Sequence, residues 1–473
     1  MGYHSGKSVN LILGALLCTA LCAISAISNA GNVILIIGDG MDDHQVTIAR
    51  NYLVGSRGKL TLDQLPLRST AQVLSVDDKN PDRPIYVADS ANSATSMASG
   101  VATSVGRIGT SAGDDRDLVN IIELARKKGI KTGIVTTASI TDATPSAFYA
   151  HVSLRDCENP EMMVEVETYF GTIIDCSQDL KSNAGLGSIS EQLVDSGVDV
   201  ALGGGAKHFI PLGEGSDQTV LQLAEKTGYQ VVTTALELAT KGSGKLLGLF
   251  SPSTMPVMWR GEGGRAAEKP VPSLLNSLHW TLGSVTYPEP MDCEDNPEYI
   301  GMPSLALMSE TALSRLTADD DTFFLMIESA SIDKQSHQRK ACGSIGELQQ
   351  LDETLGVALA FAESHPGTLI LVTADHGQAA QLVAERTLFS DIPMPVYSPG
   401  HVARINTLEG EVMAVNYATN DFIIEEHTGV NVPLLSNAVG QGLVPAMVTQ
   451  PEIFNIIKSH LLKQKQSDPI NRI

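Results

Sequence analysis

The sequence is poor in basic side chains. Its 473 residues include 32 Lys and Arg against 54 Asp and Glu, which gives a formal net charge of −22. Nucleic acids and anionic membrane surfaces are themselves negatively charged, so this composition argues against either one as a partner. A small anionic substrate is not excluded, because metal ions or a single Arg can make one site locally positive.

The long apolar run near the N-terminus is diluted by Ala, Ser and Thr, which disfavours a membrane-spanning helix. Lys7 supplies a positive charge before this run, and Ser28-Asn29-Ala30 after it forms a small-x-small cleavage site. We therefore expect residues 1–30 to be a cleaved signal peptide. The mature protein is then periplasmic or secreted, with no stable membrane anchor. An uncleaved anchor is the alternative.

Cysteine is scarce, with six residues in the chain and no C-x-x-C pair, which disfavours a zinc site built from cysteines. Four of the six lie beyond the predicted signal peptide, and four cysteines in an exported protein suggest two disulfides. Sequence alone allows three connectivities for these four residues. The spacings favour the local pairs Cys157–Cys176 and Cys293–Cys342.

Apolar segments of strand length alternate with helical patterns along the chain. Residues 32–37 are apolar without polar alternation, as expected for a strand covered on both faces. Further strands are predicted at 132–137, 198–202, 229–233, 322–327 and 368–373, and helices at 118–128, 189–195, 220–226, 304–316 and 347–363. This alternation predicts an α/β fold, a three-layer αβα sandwich around a large, mostly parallel sheet. Residues 240–300 are expected to form an irregular insertion, and residues 380–430 extra loops or a small antiparallel addition.

Acidic residues, a threonine and a histidine follow several of the predicted strands. They are Asp39, Asp142, Thr144, Glu328, Asp333, Asp375 and His376. Ligand sites in such sheets lie beyond the carboxyl ends of the strands, so we expect these side chains to converge.

The spacing of two of these residues points to a metal. Asp333 and His337 are four residues apart and share one face of a helix, a spacing that can hold zinc but is, taken alone, more typical of a surface ion pair. With His427 added, the set suits two zinc sites. An all-oxygen site of Asp39, Thr144 and Glu328 suits Mg²⁺.

Asp89 and Ser90 precede a run of small residues that contains no Pro to stop a helix. In such a helix Ser90 lies at the N-terminus, where free backbone N–H groups and the helix dipole favour an anion. For this stretch alone a helix cap is the simpler interpretation, since Asp and Ser are preferred capping residues. Farther along, Arg155 offers a guanidinium fork that can bind two phosphate oxygens at once.

Six motifs, in order along the chain, resemble those of the bacterial periplasmic alkaline phosphatases. They are IIGDGM (36–41), DSA (89–91), DATP (142–145), SIDKQ (331–335), TADH (373–376) and EHTG (426–429). The resemblance implies one catalytic domain over residues 31–473, a homodimer and the two local disulfides. It also implies hydrolysis of phosphate monoesters to alcohol and phosphate through a phosphoserine.

The same resemblance implies a role for each candidate residue. Ser90 is the nucleophile and Arg155 grips the phosphoryl oxygens, with two zinc ions and one Mg²⁺ per subunit. The implied ligands are Asp333, His337 and His427 for the first zinc, Asp39, Asp375 and His376 for the second, and Asp39, Thr144 and Glu328 for Mg²⁺. Three further residues are implied to support these groups: Asp89 beside the nucleophile, and Asp142 and Lys334, which act through water.

The chain departs from the family pattern after Met41: Asp42, Asp43 and His44 follow, where the family usually has a small Gly next. Their effect on the neighbouring zinc is left open. The histidines outside the motifs are expected to be surface or loop residues rather than ligands: His44, His208, His279, His365, His401 and His460. Methionines such as Met302, Met308 and Met326 are expected in the core.

Three other functions compete with a monoesterase. A phosphodiesterase on the same metal scaffold has less need of an Arg that grips two free phosphoryl oxygens. A sulfatase-like relative would carry its nucleophile in a C/S-x-P-x-R context, and neither Pro nor Arg follows Ser90 in that pattern. A non-catalytic phosphate- or zinc-binding protein would not need Ser90 and Arg155.

Overall fold

A computed structural model describes residues 2, 31–167, 171–240, 242, 244–319, 321–385 and 397–462. Apart from Gly2, the predicted signal peptide lies outside these ranges, as do residues 386–396 of the predicted loop region. Within the described ranges, no helix combines the length and the apolar character needed to cross a membrane.

Two larger sheets organise the described part of the chain. Their strands are β1 (Val33–Gly38), β2 (Leu67–Gln72), β3 (Lys131–Ser139), β4 (Val200–Gly204), β5 (Gln230–Val232), β6 (Leu246–Leu249), β7 (Phe323–Ser329), β8 (Leu369–Ala374), β9 (Gln381–Val383), β10 (His401–Asn406), β11 (Val412–Tyr417), β12 (Val432–Ser436) and β13 (Met447–Thr449). In the described chain ten of them form the central sheet, in the order β13-β2-β12-β8-β1-β7-β3-β4-β6-β5. Within this sheet β12 is the one reversed strand, antiparallel to both β8 and β2.

Strand β1 lies in the middle of the sheet, and all of its residues are buried. It pairs in parallel with β7 and with β8, in a register that places Gly38 opposite Ser329 and opposite Ala374. The three strands therefore end at the same level, and the residues that follow them meet at one edge of the sheet. A strand that is apolar along its length can therefore lead into a polar site, because the polar residues follow the point where the strand ends.

Helices cover both faces of the sheet. They are α1 (Asp43–Val54), α2 (Ser90–Ser99), α3 (Ile121–Arg126), α4 (Ala143–Ser146), α5 (Ile189–Ser196), α6 (Val220–Lys226), α7 (Ala235–Thr240), α8 (Leu274–Leu278), α9 (Leu305–Leu316), α10 (Ser331–His337), α11 (Ala341–Ser364) and α12 (Gln450–Leu461). On one face α1, α9 and α10 pack against α11, and on the other α2 and α3 pack against α12. The predicted layered α/β fold is confirmed.

All six predicted strands are present with boundaries within two residues of those observed. Helix α11, by contrast, begins at Ala341 rather than at residue 347. Gly343 and Gly346 in this first part weaken the helical signal of the sequence. A Cβ at Gly343 would lie 2.2 Å from Gln335 Oε1 of α10, so a larger residue here would displace the Gln335 side chain.

Four strands of the central sheet carry too little periodic pattern to be predicted: β2, β6, β12 and β13. One of them corrects the predicted insertion, because β6 lies inside residues 240–300 and belongs to the central sheet. The irregular part follows β6 and contains two short ribbons, Trp259–Gly261 with Cys293–Asp295 and Val271–Pro272 with Val285–Thr286. Within residues 380–430, β9, β10 and β11 form a small antiparallel sheet, one of the two predicted outcomes.

The structure joins Cys157 to Cys176 and Cys293 to Cys342, the two pairs that the spacings favour. The second disulfide ties the irregular segment after β6 to the first turn of α11. The first disulfide closes a short loop directly after Arg155.

Two histidines predicted at the surface or in loops are buried instead. His208 contacts Asn159 Nδ2 through Nδ1 at 2.9 Å and Glu158 Oε2 through Nε2 at 3.1 Å. His460 lies in α12, and its Nε2 contacts the carbonyl oxygen of Gly367 at 2.8 Å. Both rings are thus held by protein groups, and neither belongs to a metal-ligand group in the described residues.

Candidate active site

The candidate site lies at the carboxyl edge of the central sheet, where β1, β7 and β8 end side by side. Asp39 follows β1, Glu328 is the second-last residue of β7, and Asp375 and His376 follow β8. All four side chains are buried, with at most 3% of the residue exposed. The equal level of the three strand ends brings these groups together.

Asp333, His337 and His427 form one of two groups with metal-ligand geometry in the described residues. Asp333 and His337 lie one turn apart in α10, with 3.2 Å between Oδ2 and Nε2. His427 lies in the segment between β11 and β12. Its Nε2 is 3.5 Å from Asp333 Oδ1 and 3.0 Å from His337 Nε2. Backbone carbonyls of Glu425 and Ala88 hold the Nδ1 atoms, which directs both Nε2 atoms to one point.

Hydrogen bonds between Asp333 and the two imidazoles stabilise the charged forms of the first group. Burial disfavours a charged imidazole, but hydrogen bonding to Asp333 outweighs it and raises the pKa of His427 to about 9. Burial likewise opposes ionisation of Asp333, yet the hydrogen bonds from His337 and His427 hold its pKa well below the usual range. A cation bound at this point would replace the protons of those hydrogen bonds.

Asp39, Asp375 and His376 form the second group. His376 Nε2 lies 3.4 Å from Asp39 Oδ1 and 3.3 Å from Asp375 Oδ2. Neither of these buried carboxylate oxygens has a hydrogen-bond partner among the described residues. Buried polar atoms are normally satisfied, so two such oxygens facing one imidazole nitrogen fit a bound cation. Burial, with the charges of Asp375 and Asp333, raises the pKa of Asp39 well above its ordinary value.

Gly40 lets the two groups approach each other. Its φ of +69° lies in the left-handed region, and a Cβ there would come within 3.0 Å of the Asp333 backbone. Its N–H donates to Asp375 Oδ1 at 3.0 Å. A residue with a side chain would be strained here and would push α10 away from β1.

Ser90 is the first residue of α2, and the preceding Asp89 is the helix cap. Asp89 accepts from the N–H of Asn92, while the Asn92 side chain accepts from the N–H of Asp89. The cap interpretation thus holds for Asp89 and leaves the Ser90 hydroxyl free of that duty. Ser90 Oγ lies 3.3 Å from His376 Nε2, next to the second group.

Arg155 lies between two carboxylates at the entrance of the same cleft. Nη1 is 3.3 Å from Asp89 Oδ2, and Nη2 donates to Asp142 Oδ1 at 3.0 Å. Lys334 donates to the other oxygen of Asp142 at 2.6 Å. Burial opposes ionisation of Asp142, but the charges of Lys334 and Arg155 outweigh it and lower its pKa.

Thr144 and Glu328 lie deeper, with oxygen atoms only. The Thr144 hydroxyl is buried and has no hydrogen-bond partner in the described chain. Glu328 accepts a hydrogen bond from the Thr136 hydroxyl. Burial, together with the charge of Asp142, raises the pKa of Glu328 to about 8 despite that bond. A buried hydroxyl without a partner and a buried carboxyl that resists ionisation are both suitable oxygen ligands for a divalent cation.

Gln378 and Asp42 support the site, and no motif predicts either of them. Gln378 Nε2 donates to Asp333 Oδ1 at 2.6 Å, so a side chain two positions beyond His376 helps to orient a residue of the other group. Asp42, left open in the sequence, caps α1 and accepts from the N–H groups of His44, Gln45 and Gln378. Asp42 therefore fixes the chain beside the site, whereas Asp43 and His44 are exposed.

The nucleophile candidate, the guanidinium and the first group line one cleft of about 470 Å³. That volume suits a small ligand. Cation-binding groups on one side and an arginine fork on the other suit an oxyanion with several charged oxygens. This combination of fold and cleft is typical of metal-dependent hydrolases of phosphate esters.

The family model for alkaline phosphatase matches residues 30–441. Streptomycin-6-phosphate phosphatase of Streptomyces griseus is 37% identical over 462 residues, which cover 94% of each chain. Alkaline phosphatase of Escherichia coli strain K12 is 36% identical over 441 residues, 91% of this chain and 86% of the relative. The chain therefore belongs to the alkaline phosphatase family, and it is a phosphatase.

Solved structures agree on the fold. The alkaline phosphatase from the Antarctic bacterium TAB5 matches with a TM-score of 0.65 at 23% identity, over 92% of this chain and 99% of that one. A variant of the TAB5 enzyme with Mg bound in its M3 site matches with a TM-score of 0.63 at 24% identity, over 91% and 97% of the two chains. Membership of the family supports a metal-dependent enzyme that hydrolyses phosphate monoesters.

Proposed function

We propose that this enzyme hydrolyses phosphate monoesters through a covalent phosphoserine at Ser90. The observation that carries the proposal is the position of the Ser90 hydroxyl. It stands free of capping duty at the start of α2, 3.3 Å from His376, in the cleft that Arg155 also lines. A hydroxyl in that place meets a phosphoryl group held by the guanidinium.

We assign the metals from the donor sets. Asp333, His337 and His427 hold one zinc, and Asp39, Asp375 and His376 hold the second. Thr144 and Glu328, with Asp39, hold Mg²⁺. The unpartnered oxygens of Asp39, Thr144 and Asp375 support these assignments. When bound, the zinc ions supply Lewis acidity toward the phosphoryl oxygens and toward the oxygens that enter and leave.

The proposed reaction forms a phosphoserine and then hydrolyses it, and residues of this chain act in both steps. Arg155 Nη1 and Nη2 bind two non-bridging oxygens, which turns the phosphorus toward Ser90. Ser90 Oγ gives up its proton to water and bonds to phosphorus while the bond to the ester oxygen breaks, and the ester oxygen takes up a proton from water and leaves as the alcohol. Water then attacks the phosphorus of the phosphoserine and loses a proton, the bond to Oγ breaks, and Oγ takes up a proton, so that the Ser90 hydroxyl is restored as phosphate departs. The free N–H groups of the first turn of α2 stabilise negative charge next to Oγ throughout.

The arginine fork favours monoesters over diesters. A monoester has three non-bridging oxygens, so two can bind Arg155 while the third faces the cation-binding groups, whereas a diester has only two non-bridging oxygens to divide between them. The charged hydrogen bonds therefore assist a monoester more.

We further propose that the enzyme is exported after cleavage of residues 1–30 and that it forms a homodimer with two zinc ions and one Mg²⁺ per subunit. The two disulfides support export, because such bonds persist in oxidising compartments. Mass measurement of the secreted protein and metal analysis of the purified dimer test these points directly.

The reaction itself is tested with matched substrates. Wild type and Ser90→Ala, both with zinc and Mg²⁺, are assayed on a chromogenic phosphate monoester, the matching diester and the matching sulfate. Streptomycin 6-phosphate is a fourth substrate, since a relative is named for it. We expect a strong preference for monoesters that is lost in Ser90→Ala. Preference for the diester or the sulfate, or full activity of Ser90→Ala, would overturn the proposal.

Metal dependence has its own test. We expect EDTA to abolish activity and zinc with Mg²⁺ to restore it. Full activity after complete removal of metal would contradict the assignment of the two zinc sites. Phosphate retained without turnover would favour the non-catalytic binding protein.

A further inference from the structure

A buried ion pair joins the two chain segments that carry the histidines of the first group. Arg339 lies two residues after His337, and Glu425 lies two residues before His427. Arg339 Nε donates to Glu425 Oε1 at 2.7 Å. We call these two residues the Arg339–Glu425 pair. No motif in the sequence predicts it.

The pair is almost completely removed from water. The exposed fraction of the side chain is 9% for Arg339 and 0% for Glu425. Arg339 Nη2 donates to the carbonyl oxygen of Phe422 at 2.6 Å, and Glu425 Oε2 accepts from both the N–H and the hydroxyl of Thr419. Burying two charges is costly unless their hydrogen bonds are made, and here the partners hold the segment from Thr419 to Glu425 in one shape.

Backbone bonds continue the connection to the metal group. The N–H of Glu425 donates to the carbonyl oxygen of His337 at 3.1 Å, and the carbonyl oxygen of Glu425 contacts His337 Nδ1. A carbonyl at Nδ1 fixes the tautomer in which Nε2 is the ligand atom. The Glu425 main chain orients one imidazole, and its side chain anchors the segment that carries the other.

The backbone conformation of Arg339 indicates that an arginine occupies this position because of the contacts of its side chain. Its φ of +59° lies in the left-handed region, which is unfavourable for a residue with a Cβ. Glycine would adopt this turn without strain. An arginine at this position is explained by its guanidinium, which reaches Glu425 and Phe422.

We propose that the Arg339–Glu425 pair is a positioning device for the first zinc: it sets His337 and His427 at the separation of a ligand pair before the ion arrives and slows the release of the ion afterwards. This inference rests on the zinc site assigned under the proposed function. Neither residue lines the cleft, so the predicted effect is on the retention of one metal rather than on chemistry.

The test uses Arg339→Gly, Glu425→Gln and the double variant. Each purified holoenzyme is mixed with excess fluorescent zinc chelator, and the release of each zinc is followed in time. In Arg339→Gly we expect one zinc to leave about 10- to 100-fold faster than in wild type, the usual effect of losing a partner that orients a ligand. The second zinc is expected to leave at the wild-type rate.

The double variant separates positioning from simple charge burial. If Arg339→Gly acts only by leaving Glu425 buried without a counter-charge, the double variant will regain the wild-type release rate, and positioning is overturned. If the pair positions the ligands, the double variant will release its zinc as fast as Arg339→Gly. Glu425→Gln keeps the shape of the side chain, and it is the variant to test if Arg339→Gly does not fold.

Arg50 and Asp63 provide the matched control. Arg50 Nε and Nη2 each donate to a different oxygen of Asp63 at 2.6 Å, in a half-buried pair between α1 and its following turn. Arg50→Ala should leave both zinc release rates unchanged. Equal acceleration of both zincs in Arg339→Gly, or wild-type rates in all variants, would overturn the proposal. Failure of wild type to bind two zincs would instead overturn the metal site itself.

Discussion

Asp142 receives Lys334 on one carboxylate oxygen, 2.6 Å from Nζ, and Arg155 on the other, 3.0 Å from Nη2. One carboxylate thus partly neutralises two cations that face the cleft. Lys334 and Arg155 both line that cleft. We therefore expect the affinity of the proposed site for phosphate to depend on Asp142 as well as on the groups that touch the anion.

Asp142→Asn should make inorganic phosphate bind more tightly. The substitution removes one negative charge near the phosphate position and frees Lys334 from its counter-charge. With screening as in a partly buried site, we expect the inhibition constant of phosphate to fall about tenfold. Competitive inhibition of monoester hydrolysis measures it.

Asp89→Asn serves as the control for this prediction. It touches Arg155 but not Lys334, and Asn preserves the cap of α2. A smaller fall of the inhibition constant is expected. Equal falls in the two variants would show that Lys334 plays no part, and no change in Asp142→Asn would contradict the prediction.

Arg155→Ala should reduce kcat/KM for a monoester by about 10²- to 10³-fold, the scale of losing a fixed donor to a charged transition state. The loss for a diester should be at least tenfold smaller. Arg155→Lys keeps the charge but cannot make the two-point contact, so it should recover only part of the loss. Parallel assays of both esters check this, and equal losses would make Arg155 a structural residue.

Binding of Mg²⁺ should depend on pH through Glu328. Without metal its pKa is raised to about 8, so the carboxyl is protonated at neutral pH and must lose that proton when Mg²⁺ binds. The apparent affinity for Mg²⁺ should therefore increase with pH, by up to about tenfold per unit, and level off above pH 8. Titration of the zinc-loaded enzyme with Mg²⁺ at pH 6.5 to about 9 measures it.

Glu328→Gln removes the titrating group and keeps an oxygen ligand. Its affinity for Mg²⁺ should be weaker at high pH and should lose most of the pH dependence. A wild-type affinity that stays constant below pH 8 would contradict the prediction.

The six strands and the motifs could be predicted from the sequence because each depends on a local pattern. The apolar run before Asp39 predicts a buried strand, and the strand ends predict where Asp39, Glu328 and Asp375 meet. By contrast, β6 and β12 are short and carry no periodic signal. Their places in the sheet depend on pairing with β4 and β8, which lie far away in the sequence.

The contacts that support the site could not be predicted either, because they too join residues that lie far apart in the sequence. Gln378 and Asp333 are 45 residues apart, and Arg339 and Glu425 are 86 apart. Neither spacing has a pattern that a single sequence displays. His208 and His460 illustrate the converse, because polar residues outside a motif resemble surface residues until the fold supplies buried partners for them.

Removing the disulfides should rank them by the length of chain they close. Replacing both cysteines of a pair by Ser should lower the free energy of unfolding by about 2–5 kcal/mol in either case. The pair Cys293–Cys342 spans 49 residues against 19 for Cys157–Cys176, so its loss should cost roughly 0.8 kcal/mol more in closure entropy. Urea unfolding of the two double-Ser variants and wild type, all metal-free, measures the difference. A larger loss for Cys157–Cys176 would mean that this bond holds Arg155 and its neighbours in the folded state rather than acting mainly on the unfolded chain.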